Sequence, residues 1–246
     1  MKLKNHTAIL KAILFLIVLT LCVSYGFTQE PKKERIRISA SYTNLIDGED
    51  YLDIKLTARI DKKTLSVPHV RLSIYADNEE GETSLGSTKT DMNGITVFVL
   101  SNPESIIPDS TNLYSLLIKF DGNETFRPAT RSVQYKKADL TAEVQTKDSV
   151  NYMVATLKDA ATDSIIEGEA LNVRVSRLFM PLQIGEEFNM TDENGTIIVP
   201  IDSDIPGIDG NLDLQVVLNE HDEYGTVIAQ VEAPVGVPIV EDTTYF

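Results

Sequence analysis

The chain has 246 residues, 42% of them hydrophobic and 24% charged, with one cysteine, no tryptophan and a formal charge of −15. That length suits one large domain or two of ordinary size, and the apolar content is too high for disorder. A surface this negative repels phosphate backbones and anionic lipid head groups, so no nucleic-acid partner is expected.

In chain order, residues 1–28 read as an export signal. Lys2, Lys4 and Lys11 give a basic start, Ala12 to Val23 is an unbroken apolar core, and Gly26 and Thr28 offer small or modest residues before Gln29. The core is short for a bilayer span, which needs ~20 apolar residues; the competing expectation is an uncleaved N-terminal anchor. Cys22, the single cysteine, follows Leu21, where a lipoprotein signal prefers something small. Cleavage after Thr28 would leave a chain with no disulfide and no thiolate, with 19 basic residues against 37 acidic and a formal charge of −18.

The rest alternates. In "YLDIKLTARI", Leu52, Ile54, Leu56, Ala58 and Ile60 share one face, the period of a half-buried strand. "HVRLSIYA" does the same with Val70, Leu72, Ile74 and Ala76, while "ITVFVL" is apolar on both faces and reads as a central strand covered on both sides. No helical periodicity is sustained anywhere after the signal.

A five-residue phrase occurs twice, as "TDMNG" from Thr90 and "TDENG" from Thr191. Asp91 and Asp192 suit the first position of a type I turn, Asn93 and Asn194 tolerate the bridge or left-handed region, and Gly94 and Gly195 supply positive φ. Other pairs keep step: "YSLLIKF" with "LDLQVVL" 98 positions on, Phe126 with Tyr224, and "VRLS" at Val70 with "VRVS" at Val173. The separation drifts from 103 to 101 to 98, which implies two units of about a hundred residues meeting near "YKKADL". So short a junction predicts a restricted mutual orientation.

The order of these features resembles the transthyretin-like, carboxypeptidase-regulatory-like branch of immunoglobulin-like modules, in both halves. That resemblance implies an all-β fold: two tandem antiparallel immunoglobulin-like (transthyretin-like) β-sandwiches after an N-terminal signal segment. The expected division is 1–28 signal, 29–137 and 138–236 sandwiches, and 237–246 a tail. "LQIGEEFNMTDENG", "DIPGIDGNLDLQV" and "APVGVP" are also similar to envelope proteins of Gram-negative bacteria, in which a transmembrane helix follows such a segment. Here the sequence ends at "EDTTYF", so attachment to a membrane would come from an uncleaved signal, a lipid or a C-terminal segment beyond Phe246.

Chemistry is sparse. His69 and His221 fall in different halves, no Gly-x-Ser-x-Gly elbow is present, and catalysis is not expected. Asp202, Asp204, Asp209 and Asp213 gather hard oxygen ligands in one loop region; if any cofactor binds, it is calcium there, against the reading of solvated loop acids. Tyr51, Tyr75 and Tyr135 are the candidates for a glycan platform, against packing at a sheet face. "RLFMPLQIG" carries Leu178, Phe179 and Met180 where the first half has the polar "IYADNEEGET". A lid over the core is the plainer explanation; exposure would mark a protein-binding patch. The expected function is a non-catalytic exported spacer or docking module of the periplasm or cell surface, with envelope proteins as partners. The alternative is a glycan- or calcium-dependent adhesin.

Overall fold

The computed structural model describes residues 33–79 and 81–239; the expected signal (residues 1–28), Cys22 and residues 240–246 lie outside the described residues. Strands follow the alternating stretches: β1 (Ile36–Leu45), β2 (Tyr51–Ile60), β3 (Lys63–Ser66), β4 (Arg71–Asn78), β5 (Gly81–Lys89), β6 (Ile95–Val99), β7 (Tyr114–Phe120) and β8 (Ala129–Tyr135). After two residues come β9 (Ala138–Lys147), β10 (Val150–Asp159), β11 (Ala170–Val175), β12 (Leu182–Met190), β13 (Thr196–Ile201), β14 (Pro206–Gly207), β15 (Leu212–His221), β16 (Gly225–Ala233) and β17 (Val237–Pro238). The described residues contain no α-helix, only a 3-10 turn at Pro103–Ser105. The fold is all-β.

The pairing order is written twice. In the first half β1, β2 and β6 pair in one sheet and β5-β4-β7-β8 form the other; in the second, β9-β10-β13 and β12-β11-β15-β16 repeat that pattern. Each half fills the space between its sheets with its own apolar residues. Every buried residue of one core lies between Ile36 and Tyr135, and every one of the other between Ala138 and Ala233. The burial follows the period of two, with Leu52, Ile54 and Leu56 matched by Met153, Ala155 and Leu157.

The cores are separate, but the sheets are not. The last three residues of β1 pair in parallel with β16, Thr43 with Thr226 through Leu45 with Ile228, so one eight-stranded sheet runs through both halves. Residues from Glu34 onward therefore form one compact unit. Gly225 makes the contact feasible, since a Cβ there would stand 2.5 Å from the Tyr42 carbonyl oxygen. Further ties are Ile46 N–H to Ile228 O (2.9 Å), Lys136 N–H to Glu223 O (2.7 Å), Asn44 Nδ2 to Ala138 O (3.3 Å) and a Lys136–Glu223 ion pair at 3.0 Å.

Two expectations need correction. β6 is not a covered central strand: it pairs only with β2, and Ile95, Val97 and Val99 face solvent. An apolar run cannot by itself tell a covered strand from an edge strand. The "VRLS" and "VRVS" stretches are not equivalent either. Ile74 faces Ile118 and Val173 faces Val216, which aligns β4 with β11 at 99 positions, not 103. The described part of the stretch from residue 237 holds β17, which pairs in parallel with β14.

Candidate functional site

The repeated turn holds more than a hairpin. Asp91 Oδ1 accepts from the N–H groups of Asn93 and Ile95, both at 2.8 Å; Asp192 Oδ1 accepts from Asn194 (2.9 Å) and Thr196 (2.8 Å). These bonds hold both carboxyl groups below the usual carboxylate range, led by the Ile95 and Thr196 amides. The preceding threonine stitches the turn to another segment. Buried Thr90 Oγ1 donates to Val67 O and accepts from Val70 N–H, both 3.0 Å; Thr191 Oγ1 does the same with Ile166 O and Glu169 N–H, both 2.9 Å. Gly94 and Gly195 sit at φ +71 and +68, where a Cβ would press on the carbonyl oxygens of Leu56 (2.7 Å) and Leu157 (2.6 Å). The motif is a structural corner.

The loop from β11 to β12 differs. Its base is pinned, with Ser176 N–H donating to Asp213 O (2.7 Å) and Arg177 Nη2 to Pro206 O (2.5 Å). Beyond it Leu178, Phe179 and Met180 stand 90%, 96% and 77% exposed, and the chain is buried again at Ile184. The lid expectation is therefore overturned: these side chains cover nothing. Arg177 also holds this loop beside β14, whose following residue Ile208 is exposed, as are Val237 and Ile239 around β17. Such a cluster favours removal from water by a partner surface.

The four aspartates do not converge. Among the described residues no three His, Cys, Asp or Glu side chains stand close enough to hold a metal ion. Asp202 and Asp204 follow β13, Asp209 occupies a left-handed turn position (φ 52), and Asp213 lies on β15 opposite Glu232. Nearness along the loop, the ground for weighing calcium against solvated acids, does not bring three of these carboxylates together.

The tyrosines separate as well. Tyr51 is on β2 and Tyr75 on β4, in different sheets of the first half. Tyr135 is buried, stacked on Tyr42 (centroids 3.5 Å apart) and on Tyr114 (5.2 Å), so the three cannot form one platform. Tyr42 Oη donates to Asp50 Oδ2 at 2.9 Å and Lys137 Nζ reaches the same oxygen at 3.1 Å. Burial first, and then the Asp50 charge, push the Tyr42 and Tyr135 hydroxyls well above their ordinary range.

In the second half Tyr224 Oη donates to Asp159 Oδ2 (3.1 Å), and burial, then this bond, push its pKa up to about 12. Burial pushes the Asp159 carboxyl upward, but bonds from Thr162, Ala161 and Tyr224 outweigh it and leave it below the usual range. His69 is exposed at φ 58 with Met92 Sδ 3.1 Å from its Nε2. His221 Nδ1 accepts from Glu223 and Tyr224 N–H, and its Nε2 lies 3.5 Å from Glu169. Neither histidine faces a hydroxyl or thiol nucleophile in these contacts. Sequence reasoning missed the Asp50–Lys137–tyrosine cluster and the threonine stitch. The only signal was that the repeat begins with Thr.

Comparison with known proteins gives little. No protein-family model matches the chain, and no curated protein matches it. Among solved structures, one similar chain is a tetra-tandem repeat in the extending region of a large adhesion protein, with TM-score 0.29 and 10% identity. The match covers 81% of this chain and 48% of that one, so the chain spans about half that length. Another is native alpha-2-macroglobulin from Escherichia coli spanning domains NIE-MG1, with TM-score 0.26 and 7% identity, covering 81% and 97%. Likenesses this remote do not bear on what the chain does.

Proposed function

We propose that the chain is a non-catalytic exported protein of the cell envelope, a spacer that presents a protein-docking loop. The observation that carries this reading is the exposed Leu178-Phe179-Met180 on a loop whose base is fixed by Ser176 and Arg177. Three consecutive apolar side chains in water gain most by burial on another protein. The spacer role is supported by the shared sheet, which resists bending between the two cores. On this reading each half is an immunoglobulin-like sandwich, supported by the seven strands the halves share, in sheets of three and four, to which the first half adds β3 and the second β14 and β17. The transthyretin-like branch rests on the order of features around the Thr-Asp-x-Asn-Gly corner in both halves.

The test is cross-linking in cells followed by recovery of the chain. Envelope proteins should be captured by the parent chain, and that capture should disappear when Phe179→Ser and Met180→Ser are combined. Undiminished capture by the double variant sinks the docking reading. Serine at residues this exposed should shift folding stability by no more than ~0.5 kcal/mol, which keeps the result interpretable.

A further inference from the structure

The two halves use the same strand edge differently. In the second half, the outer edge of β16 is filled by β1. The strand in the same place in the first half is β8, and it pairs only with β7. Ile228 O accepts from Ile46 N–H, so the polar backbone of residue 228 faces outward from β15. The registers Val216 with Ala229 and Ile118 with Arg131 make Thr130 the counterpart of Ile228. Backbone direction alternates along a strand, so Thr130, Ser132 and Gln134 turn their N–H and C=O groups away from β7.

Other free edges are defended in the ways sheet proteins use against stray pairing, β3 at the end of the long sheet by being only four residues long. β5 has a bulge with Glu82 and Lys89, β12 a bulge with Glu186 and Glu187, and β13 carries Pro200. β9 carries Asp139, Glu143 and Lys147, while β6 is tied to β5 by a Thr88–Thr96 hydroxyl contact of 2.6 Å. β8 has no proline, no bulge and one charge, Arg131. An open cleft of about 660 Å³ runs beside it, walled by Ser39 and Ser41 of β1 and by Glu220 and Asp222 of the β15–β16 hairpin.

We propose that β8 is a self-association edge, pairing antiparallel with β8 of a second copy about a two-fold axis at Ser132. That register sets Ser132 against Ser132 and Thr130 against Gln134, each pair exchanging both backbone bonds. It sets Arg131 against uncharged Val133, with no like charges opposed. It also brings the second copy's Arg131 toward the far end of β8, where Glu223 O binds Lys136 N–H and Glu220 and Asp222 line the cleft. Arg131, Glu220 and Asp222 make no ion pair among the described residues, so the charges on the two sides complement each other. This surface is distinct from the apolar loop and does not depend on its role.

The experiment is sedimentation velocity on the chain from Glu34 onward, in physiological salt and up to about 0.5 mM, with amide exchange followed in parallel. A concentration-dependent dimer is expected, with protection gained at the amides of Thr130, Ser132 and Gln134. Ser132→Pro removes an outward N–H, and Arg131→Glu sets acid against the acidic hairpin. Each should weaken the dimer at least about tenfold while exchange in β7 stays unchanged. A chain that stays monomeric overturns the proposal, including one that pairs only with a strand of another protein. So does a dimer that both variants leave intact.

Discussion

The two halves agree at their corners and disagree at their ends. Thr90 and Thr191 make the same pair of bonds to within 0.1 Å, and Asp91 and Asp192 cap the same relative amides. By contrast, the tyrosine stack around Tyr135 belongs to the first half, while Leu178, Phe179 and Met180 stand exposed only in the second. A repeated pairing of strands keeps whatever closes its sheets, because each half must satisfy the same backbone groups. The loops and junction residues carry no such obligation, and there the halves have diverged.

The largest expected effect breaks the comparison at the stack. Tyr135→Ala should cost ~3–5 kcal/mol in chemical denaturation, the loss typical of a buried aromatic side chain. A loss below ~1 kcal/mol would show that the stack does not hold the first half together. Next come the matched corners. Thr90→Val keeps the shape but leaves the buried Val67 carbonyl and Val70 N–H unpaired, at ~1–3 kcal/mol, whereas Thr191→Val frees the half-buried Ile166 carbonyl and Glu169 N–H and should cost less. The double variant should lose the sum of the two single losses to within ~0.5 kcal/mol, as expected for distant sites; a Thr191→Val loss larger than that of Thr90→Val would show that burial does not set the difference between the corners.

The smallest effect concerns acid. The Asp159 carboxyl lies below its ordinary range, so its contribution is present above the unfolded value of about 3.9 and is lost as pH falls through the lower folded one. Asp159→Asn should lower stability at neutral pH and flatten the fall in Tm between about pH 5 and 2. Asp91 and Asp192 will keep part of that fall in both halves. An acid limb unchanged by Asp159→Asn would remove Asp159 from the account.

The period of two in β2, β4, β7 and β15 was legible because each strand has one face on a core, which forces apolar residues to alternate. The Asp-x-Asn-Gly turn was legible because its φ values and amide caps restrict residue type. The parallel joint was not. Tyr42, Thr43 and Asn44 are buried in succession, two of the three are polar, and nothing local in "SYTNL" signals a partner strand 183 positions away. The aspartate cluster misled for the opposite reason, since closeness along a chain with turns at Asp209 and Gly210 does not make closeness in space. The exposed loop at Phe179 was visible as an apolar run, but burial depends on which segment lies above it, and sequence does not show that.

The clasp between β1 and β16 joins one of the earliest described strands to one of the latest. A chain made or exported from its N-terminus can wrap its first core long before the strand that seals β1 has emerged. Loop closure over such a span carries an entropic cost that local pairings do not, so this seam should form after the first core.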